Sequence, residues 1–370
     1  MIVDVDFLEQ NYDPQEIVAL LEAKKSLDAI SDADRRNELG RALLMKLWPD
    51  PLQRLQKTAW IQRKDAPPGL LKLNYAQLRF YRDVIETART RNTPIRAIIL
   101  KARQLGFSTL IQCWQHSECF WSSNRNALTI SYDEESTEEL FGKTSFCDSS
   151  MWFPRKKKRA RGTTIEFDRP HNSTFFTRTA GNLNAGRGLT FHRLHCSEVP
   201  MWPDPEPVLA AAQQAVPAKP NTSIIYESTA RGAVGLFFDD WNAAVSGESD
   251  FTPFFAPWYW DPDYSLAFDS DDSRNQFMRS LSLADVEYQK RFGLKPEQLH
   301  WREWIIRNQL NGNRPLFRQE YPACAEEAFL TTGSPVFDPE TVLKLSAAVA
   351  PPVFLGHSML QGIGDDDSDA

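Results

Sequence analysis

The sequence predicts an α/β fold with a mainly parallel central sheet flanked by helices, preceded by a helical N-terminal subdomain. The main observation is that short apolar runs alternate with longer amphipathic segments through the middle of the chain. Such alternation is typical of parallel strands that are joined by helices. The composition, 42% hydrophobic and 25% charged over 370 residues, is ordinary for a globular protein with one large core or two domains.

The first 65 residues are polar and predict helices. Asp13 and Pro14 start a helix that continues to Lys25, and a second helix is predicted at 33–47. The Ala-Pro-Pro-Gly sequence at 66–69 ends this segment. We expect a lid or partner-facing subdomain here.

Strands and helices alternate after residue 69. The predicted elements are a helix within 70–91, a strand at 97–100, a helix at 107–120, a strand at 127–132, a helix at 134–146, a hairpin at 163–168 and 173–179, a strand at 191–197, a helix at 210–215, a strand at 223–228, a helix at 234–244 and helices within 275–311. In an open parallel sheet, ligands bind outside the carboxyl ends of the strands. The residues that follow each strand are therefore the candidates for function.

The turn after the first of these strands has the outline of a phosphate-binding loop. In such loops backbone N–H groups at a helix N-terminus bind the anion, a cation meets the terminal phosphates, and a hydroxyl ligates Mg²⁺. Gly106 and Ser108 fit the pattern G-x-x-x-x-G-K-[ST]. Phe107, however, stands where the pattern has lysine, and Lys101 where it has its first glycine. Lys101 or Arg103 then supplies the cation, and an ordinary basic turn is the alternative.

Two later strands end in polar residues. The first leads to Ser197 and Glu198, and a carboxylate at this place in a P-loop ATPase polarises the water that attacks the γ-phosphate. The second leads to Ser228-Thr229-Ala230, a cluster suited to sensing whether the γ-phosphate is present. A solvated carboxylate and a plain strand-to-turn transition are the alternatives. The three signals nevertheless occur in the order expected of a P-loop NTPase.

Together these segments resemble the ATPase region of the large terminase subunit of tailed bacteriophages, the motor that packages viral DNA. The loop 101–109 carries a basic residue near its start, the run Cys196-Ser197-Glu198-Val199 is similar to the acidic strand of this family, and 228–230 looks like its coupling motif. The segment 320–338 resembles the close of the ATPase region. The resemblance covers residues 70–340 and implies a P-loop NTPase fold.

The resemblance also implies ATP and Mg²⁺ as cofactors, and it suggests roles for individual residues. Gln77 is implied to contact adenine, and Lys101, Arg103 and Glu198 are implied in phosphate binding and catalysis. The metal is implied to bind Ser108, Ser197 and Glu198. The rest of the nucleotide loop comprises Ala102, Gln104, Leu105, Gly106, Phe107 and Thr109. The Gln77 amide both donates and accepts hydrogen bonds, and an ordinary surface amide is the alternative.

The expected domains combine this resemblance with the composition of the two ends of the chain. They are a helical N-terminal or lid subdomain at 1–65, a P-loop ATPase core at 66–260, a helical extension and linker at 261–345 and a flexible acidic tail at 346–370. Large terminases usually carry a C-terminal nuclease, and the acidic tail is too short to be one. We therefore expect ATPase activity without DNA cleavage from this chain.

The densest basic run is the candidate DNA contact. It comprises Arg155, Lys156, Lys157, Lys158 and Arg159. Because the net charge is −7, contact with nucleic acid needs such a local patch. A solvated loop is the alternative. Arg187 is a candidate for reaching the nucleotide of a neighbouring subunit, with a structural turn as its alternative.

The expected function is thus ATP-driven movement of double-stranded DNA into a viral procapsid. The resemblance implies a homo-oligomer on a portal protein ring, a small terminase subunit as partner, and action in the cytoplasm of the infected bacterial host, transiently at the procapsid portal. No membrane association is expected, since there is no signal peptide and no apolar run of about 18 residues. A helicase-like nucleic-acid ATPase and a nucleotide-binding assembly protein without turnover are the alternatives, and Phe107 favours the second.

Overall fold

The computed structural model of the chain describes residues 5–181 and 188–329. Its strands are β1 (Trp60–Ile61), β2 (Gly69–Leu70), β3 (Ile95–Lys101), β4 (Asn126–Ser131), β5 (Lys157–Arg161), β6 (Thr164–Phe167), β7 (Thr174–Thr179), β8 (Arg193–Ser197), β9 (Ser223–Ser228) and β10 (Thr252–Ala256). The strands β1 and β2 pair with each other, and the others form one eight-stranded sheet.

The large sheet has the order β10-β3-β9-β8-β4-β7-β6-β5. Neighbours from β10 to β7 are parallel, whereas β6 pairs antiparallel with both β7 and β5. The predicted α/β fold with a mainly parallel central sheet flanked by helices is therefore confirmed. Because β9 lies between β3 and β8, the carboxyl ends of these three strands are adjacent.

Helices cover both faces of the sheet. They are α1 (Val5–Asn11), α2 (Pro14–Asp28), α3 (Ala33–Leu47), α4 (Pro51–Thr58), α5 (Tyr75–Phe80), α6 (Thr87–Arg91), α7 (Phe107–Trp121), α8 (Glu134–Ser149), α9 (Pro205–Gln214), α10 (Leu236–Ser246), α11 (Asp271–Ser280), α12 (Leu283–Phe292), α13 (Pro296–Asn308), α14 (Arg314–Glu320) and α15 (Ala325–Ala328). A π-helical turn, Tyr81–Glu86, joins α5 to α6.

Alternate residues of the central strands pack into two separate hydrophobic clusters. On β3, Ala97 and Ile99 belong to the cluster that includes α7, whereas Ile98 and Leu100 belong to the cluster that includes α9 and α10. All residues of β3 are buried, as expected of a parallel strand that is covered on both faces. The apolar run that predicted this strand is thus explained by packing on both sides.

The N-terminal helices pack against the far end of the sheet. Leu44 and Trp48 share a hydrophobic cluster with Phe120 on α7 and Phe175 on β7. Asp13 caps α2 as the sequence predicts, because its side chain accepts from the N–H of Glu16. The predicted domain boundaries stay predictions, and the described residues lie within one compact unit, Met1–Thr332.

Two strands of the large sheet are additional to the predicted set. The strand β10 forms one edge and contains Phe254, which is buried in the core. The strand β5 forms the other edge and contains part of the basic run, for which the sequence suggested a loop. None of the helices in the described ranges is both long enough and apolar enough to cross a membrane.

Candidate active site

The loop between β3 and α7 has a backbone that only a few residues adopt readily. Gly106 has φ +75° and Gln104 has φ +57°, both in the left-handed region that favours glycine. A Cβ atom at position 106 would lie 2.7 Å from Nε2 of Gln77. The backbone conformation therefore favours glycine at position 106, and a side chain there would displace the Gln77 amide.

Hydrogen bonds from the protein hold the carbonyl groups of this loop. Asn74 Nδ2 donates to the Leu105 carbonyl at 3.0 Å, and Gln77 Nε2 donates to the Gly106 carbonyl at 2.7 Å. The Tyr264 hydroxyl donates to the carbonyl of Arg103 at 2.6 Å. In the described part of the chain no acceptor takes the backbone N–H groups of residues 104–109. Such unpaired N–H groups at a helix start suit an anion.

Lys101 lies at the end of β3 between two carboxylates. Its Nζ is 3.2 Å from Glu198 Oε1 and 3.3 Å from Glu227 Oε2. Burial lowers the pKa of Lys101, but the two carboxylates outweigh burial and raise that pKa above its usual value. Lys101 is therefore charged at any ordinary pH and joins the ends of β3, β8 and β9.

Glu227 is a site residue for which the sequence predicted no role. Its Oε1 accepts a 2.5 Å hydrogen bond from Ser108 and a 3.3 Å hydrogen bond from Ser197. Burial raises the pKa of its carboxyl, but Lys101, His195 and Ser108 outweigh burial and hold that pKa below its usual range. The available signal was a charged residue inside the apolar run of β9, directly before Ser228.

Glu198 follows β8 with a left-handed backbone, at φ +53°. Its Oε2 accepts a 2.7 Å hydrogen bond from the hydroxyl of Ser228. The side chain of Glu198 is 28% exposed, whereas that of Glu227 is 0% exposed. The predicted catalytic carboxylate and the first residue of the predicted coupling motif are thus in direct contact, with access to solvent.

Other predicted residues lie near the loop in different roles. Arg103 is 57% exposed and pairs with Glu320, with 3.2 Å between Nη1 and Oε2. Phe107 is buried and packs against Phe80 and Phe254. The Gln77 amide is engaged at both ends, since Oε1 accepts from the N–H that precedes its helix and Nε2 binds the loop. Its predicted contact with adenine stays a prediction.

The basic run divides into two groups. Arg155 donates to the Phe120 carbonyl, and Lys157 pairs with the buried Asp148. Lys156, Lys158 and Arg159 are exposed, with Lys156 3.7 Å from Asp168 and Lys158 2.7 Å from Glu166. The exposed group is available to a ligand, because surface ion pairs are weak. Arg187 lies outside the described residues.

The donor set at the strand ends suits Mg²⁺. Ser108, Ser197, Glu198 and Glu227 present hydroxyl and carboxylate oxygens, and Mg²⁺ is a hard cation that prefers oxygen ligands. Within residues 5–181 and 188–329 no group of three or more His, Cys, Asp and Glu side chains is arranged to hold a metal. Two carboxylates with hydroxyls match an ion that takes the rest of its ligands from water and phosphate.

No protein-family model matches this sequence, and no match is found among curated proteins. Solved structures of large terminases are similar to it. The ATPase domain of the Thermus phage P74-26 large terminase is 19% identical, with 68% of this chain and 93% of that domain covered and a TM-score of 0.44. The HK97 bacteriophage large terminase is 16% identical, with 65% of this chain and 50% of that protein covered and a TM-score of 0.44.

A third solved structure is that of the large terminase from the thermophilic bacteriophage D6E in complex with ATP-γ-S. It is 13% identical, with 59% of this chain and 51% of that one covered and a TM-score of 0.37. This chain therefore spans about half the length of the HK97 and D6E proteins. The family named from the sequence motifs is the one whose solved structures this chain resembles.

Proposed function

We propose that this chain is an Mg²⁺-dependent ATPase, the motor subunit that moves double-stranded DNA into a viral procapsid. The observation that carries the ATPase proposal is the convergence of Lys101, Ser108 and Glu198 beside a loop with unpaired N–H groups. A cation, a hydroxyl, a carboxylate and fixed N–H groups are the parts that phosphoryl transfer to water requires. Lys101 ends β3, Ser108 lies in the first turn of α7 and Glu198 follows β8, and their contacts at one edge of the parallel sheet support a single site.

The nucleotide phosphates bind to the loop in this proposal. The N–H groups of residues 104–109 donate to phosphate oxygens, and the Lys101 ammonium turns from its carboxylate partners to the phosphates. Arg103 is the second cation, since its side chain is largely exposed and extends from the same loop. Gln77 contacts adenine only after one end of its amide is released.

The predicted metal ligands are Ser108, Ser197 and Glu198. When bound, Mg²⁺ neutralises negative charge on the phosphates. Glu198 orients and polarises the attacking water, a role supported by its partial exposure. Ser228 holds Glu198 through their hydrogen bond. Release of the γ-phosphate changes this hydrogen bond, and Ser228-Thr229-Ala230 transmits the change to the residues that follow β9.

The DNA part of the proposal rests on the order of the sequence motifs and on the basic run. Lys156, Lys158 and Arg159 are exposed at the edge of the sheet, where they suit contacts to phosphates that do not depend on base sequence. The partners proposed with it are further copies of this chain, a portal ring and a small terminase subunit. Arg187 is proposed to reach the nucleotide of a neighbouring copy. The assembly is proposed to act in the host cytoplasm, at the procapsid portal.

Phosphate release by the purified chain tests the proposal, measured with Mg²⁺ and ATP in the presence and absence of double-stranded DNA. We expect turnover by the wild type and a loss of about 100-fold or more in Glu198→Gln and in Lys101→Met. The exposed Lys72 and Glu206 provide matched controls, and Lys72→Met and Glu206→Gln are expected to keep full activity.

Three results count against the proposal. Nucleotide binding without phosphate release, with or without DNA, would mean a binding protein without turnover. Separation of DNA strands in an unwinding assay would identify a helicase-like enzyme. Turnover that survives in Glu198→Gln would remove the catalytic role of this carboxylate.

A further inference from the structure

We infer that Glu227, on β9, supplies an anionic ligand for the divalent cation of the ATP site, on the side that faces Ser108. This inference rests on the proposed function and adds a residue to it. The charge of the cluster, the arrangement of its hydroxyl groups and the surroundings of Glu227 support this role.

Among the described residues at these strand ends, one cation faces two carboxylates. Lys101 carries one positive charge and is shared by Glu198 and Glu227. Glu227 is fully buried, and its Oε2 accepts no hydrogen bond within the described residues. A buried carboxylate is costly unless cations and hydrogen bonds compensate for it. When Lys101 turns to a phosphate, two carboxylates remain together, and a divalent cation restores the balance.

Two hydroxyl groups of the site converge on Glu227, whereas that of Ser228 donates to Glu198. Ser108 and Ser197 both donate to Oε1 of Glu227, from α7 and from β8. Ser197 itself brings no charge, so among the described residues at these strand ends Glu198 and Glu227 are the carboxylates available to a cation. Since Glu198 is engaged by Ser228 and is exposed to water, the two carboxylates differ in environment. Glu227 is the one that lies beside the Ser108 hydroxyl.

A buried polar network directs a ring N–H of His195 toward Glu227. Gln112 Oε1 accepts a 2.9 Å hydrogen bond from Thr144, so its Nε2 donates to Thr129 and to Nδ1 of His195, both at 3.0 Å. The proton of His195 is then on Nε2, which lies 3.5 Å from Oε1 of Glu227. His195 Nε2 makes no hydrogen bond within the described residues, so its N–H faces the carboxylate of Glu227 as an electrostatic contact.

The test measures how strongly Mg²⁺ tightens the binding of a fluorescent ADP analogue, as the ratio of the Kd without Mg²⁺ to the Kd with Mg²⁺. We expect the ratio to fall at least tenfold in Glu227→Gln, while the Kd without Mg²⁺ changes by less than about threefold. Binding of Mn²⁺ together with ADP, measured by electron paramagnetic resonance, is expected to be lost in the same variant. Asp148→Asn removes a buried carboxylate elsewhere and is expected to keep the ratio.

A second variant makes the assignment specific. Ser197→Asp added to Glu227→Gln places a carboxylate where the Ser197 hydroxyl lies 3.3 Å from Glu227 Oε1, and it is expected to restore most of the ratio. An unchanged ratio in Glu227→Gln overturns the inference while leaving the ATPase proposal intact. No binding of nucleotide by the wild type overturns both. If Glu227→Gln does not fold, Glu227→Asp, which keeps the charge but shortens its reach, is judged by the same ratio.

Discussion

Gln77 Nε2 donates a 2.7 Å hydrogen bond to the carbonyl oxygen of Gly106, so α5 holds the turn that leads into α7. The same nitrogen would lie 2.7 Å from a Cβ atom at position 106. One glutamine thus both anchors the loop and restricts what can replace its glycine. The shape of the candidate phosphate site depends on this pair.

Gly106→Ala is expected to destabilise the protein by about 2 kcal/mol, because φ is +75° and the new methyl group meets Gln77. We also expect weaker nucleotide binding, since the loop must shift. Urea unfolding followed by circular dichroism measures the first effect and titration with ADP the second. Gly142→Ala is the control, because Gly142 lies inside α8 and a methyl group added there would have nothing within 4 Å. Alanine at position 142 is expected to stabilise the protein by up to about 1 kcal/mol.

Lys101→Met is expected to cost about 3 kcal/mol of folding free energy, because it leaves the buried Glu227 without its cation. Lys101→Met combined with Glu227→Gln is expected to recover a substantial part of that loss, since the remaining side chain is neutral. A double-mutant cycle from denaturant unfolding gives the coupling energy of the pair. Additive effects of the two substitutions would mean that the pair is not coupled in the folded protein.

A contact between α7 and α8 predicts that the free energy of unfolding depends on pH. His116 Nε2 lies 3.0 Å from Asp148 Oδ1. Burial lowers the pKa of His116, but contacts with Cys147 and Asp148 outweigh burial and raise that pKa to about 10 from 6.5. Because the folded-state pKa is the higher one, the contribution to stability is complete below pH 6.5 and is lost as the pH rises toward 10.

Asp148→Asn tests this dependence. The variant is expected to be about 2 kcal/mol less stable than the wild type between about pH 5 and 6.5, and the difference is expected to shrink as the pH approaches 10. Thermal unfolding at a series of pH values measures it. Glu139→Gln, on the exposed side of α8, is the control and is expected to show no such trend. A difference that is independent of pH would contradict the assignment of charge to His116.

The two groups in the basic run are expected to respond differently to mutation. Lys158→Ala with Arg159→Ala should weaken binding to double-stranded DNA and reduce the dependence of log K on log salt by about two, since two phosphate contacts are lost. Arg155→Ala should instead destabilise the fold, because Arg155 donates to the Phe120 carbonyl and lies over the Phe120 ring. Fluorescence anisotropy across salt concentrations and denaturant unfolding separate these effects. An unchanged salt slope in the double variant would place the DNA contact elsewhere.

Much of the fold could be predicted because its signals are local. The buried strand β3 shows as an apolar run, and α3 has the bounds predicted for it, 33–47. The turn that we propose to bind phosphate could be recognised because its glycine and hydroxyl residues are close in sequence. Such patterns record which side chains face the core, and they need no knowledge of which strands pair.

The rest depends on pairing between distant segments. Glu227 becomes a site residue because β9 lies between β3 and β8 and brings it opposite Ser197. The strand β5 lies at the edge of the sheet with residues 158–160 exposed, so its polar sequence is also typical of a basic loop. The network through Gln112 and His195 joins a helix to a strand 83 residues away. No local pattern could reveal these contacts.

The left-handed backbone of Glu198 lowers the stability of the fold, whereas its carboxylate is needed for the proposed reaction. A residue with a side chain pays roughly 1 kcal/mol or more to adopt φ +53°, and glycine or asparagine adopts it more easily. A library of variants screened only for heat resistance is therefore expected to enrich glycine or asparagine at position 198. The same library screened for phosphate release is expected to retain glutamate, so opposite outcomes of the two selections would separate the energetic cost of this residue from its use.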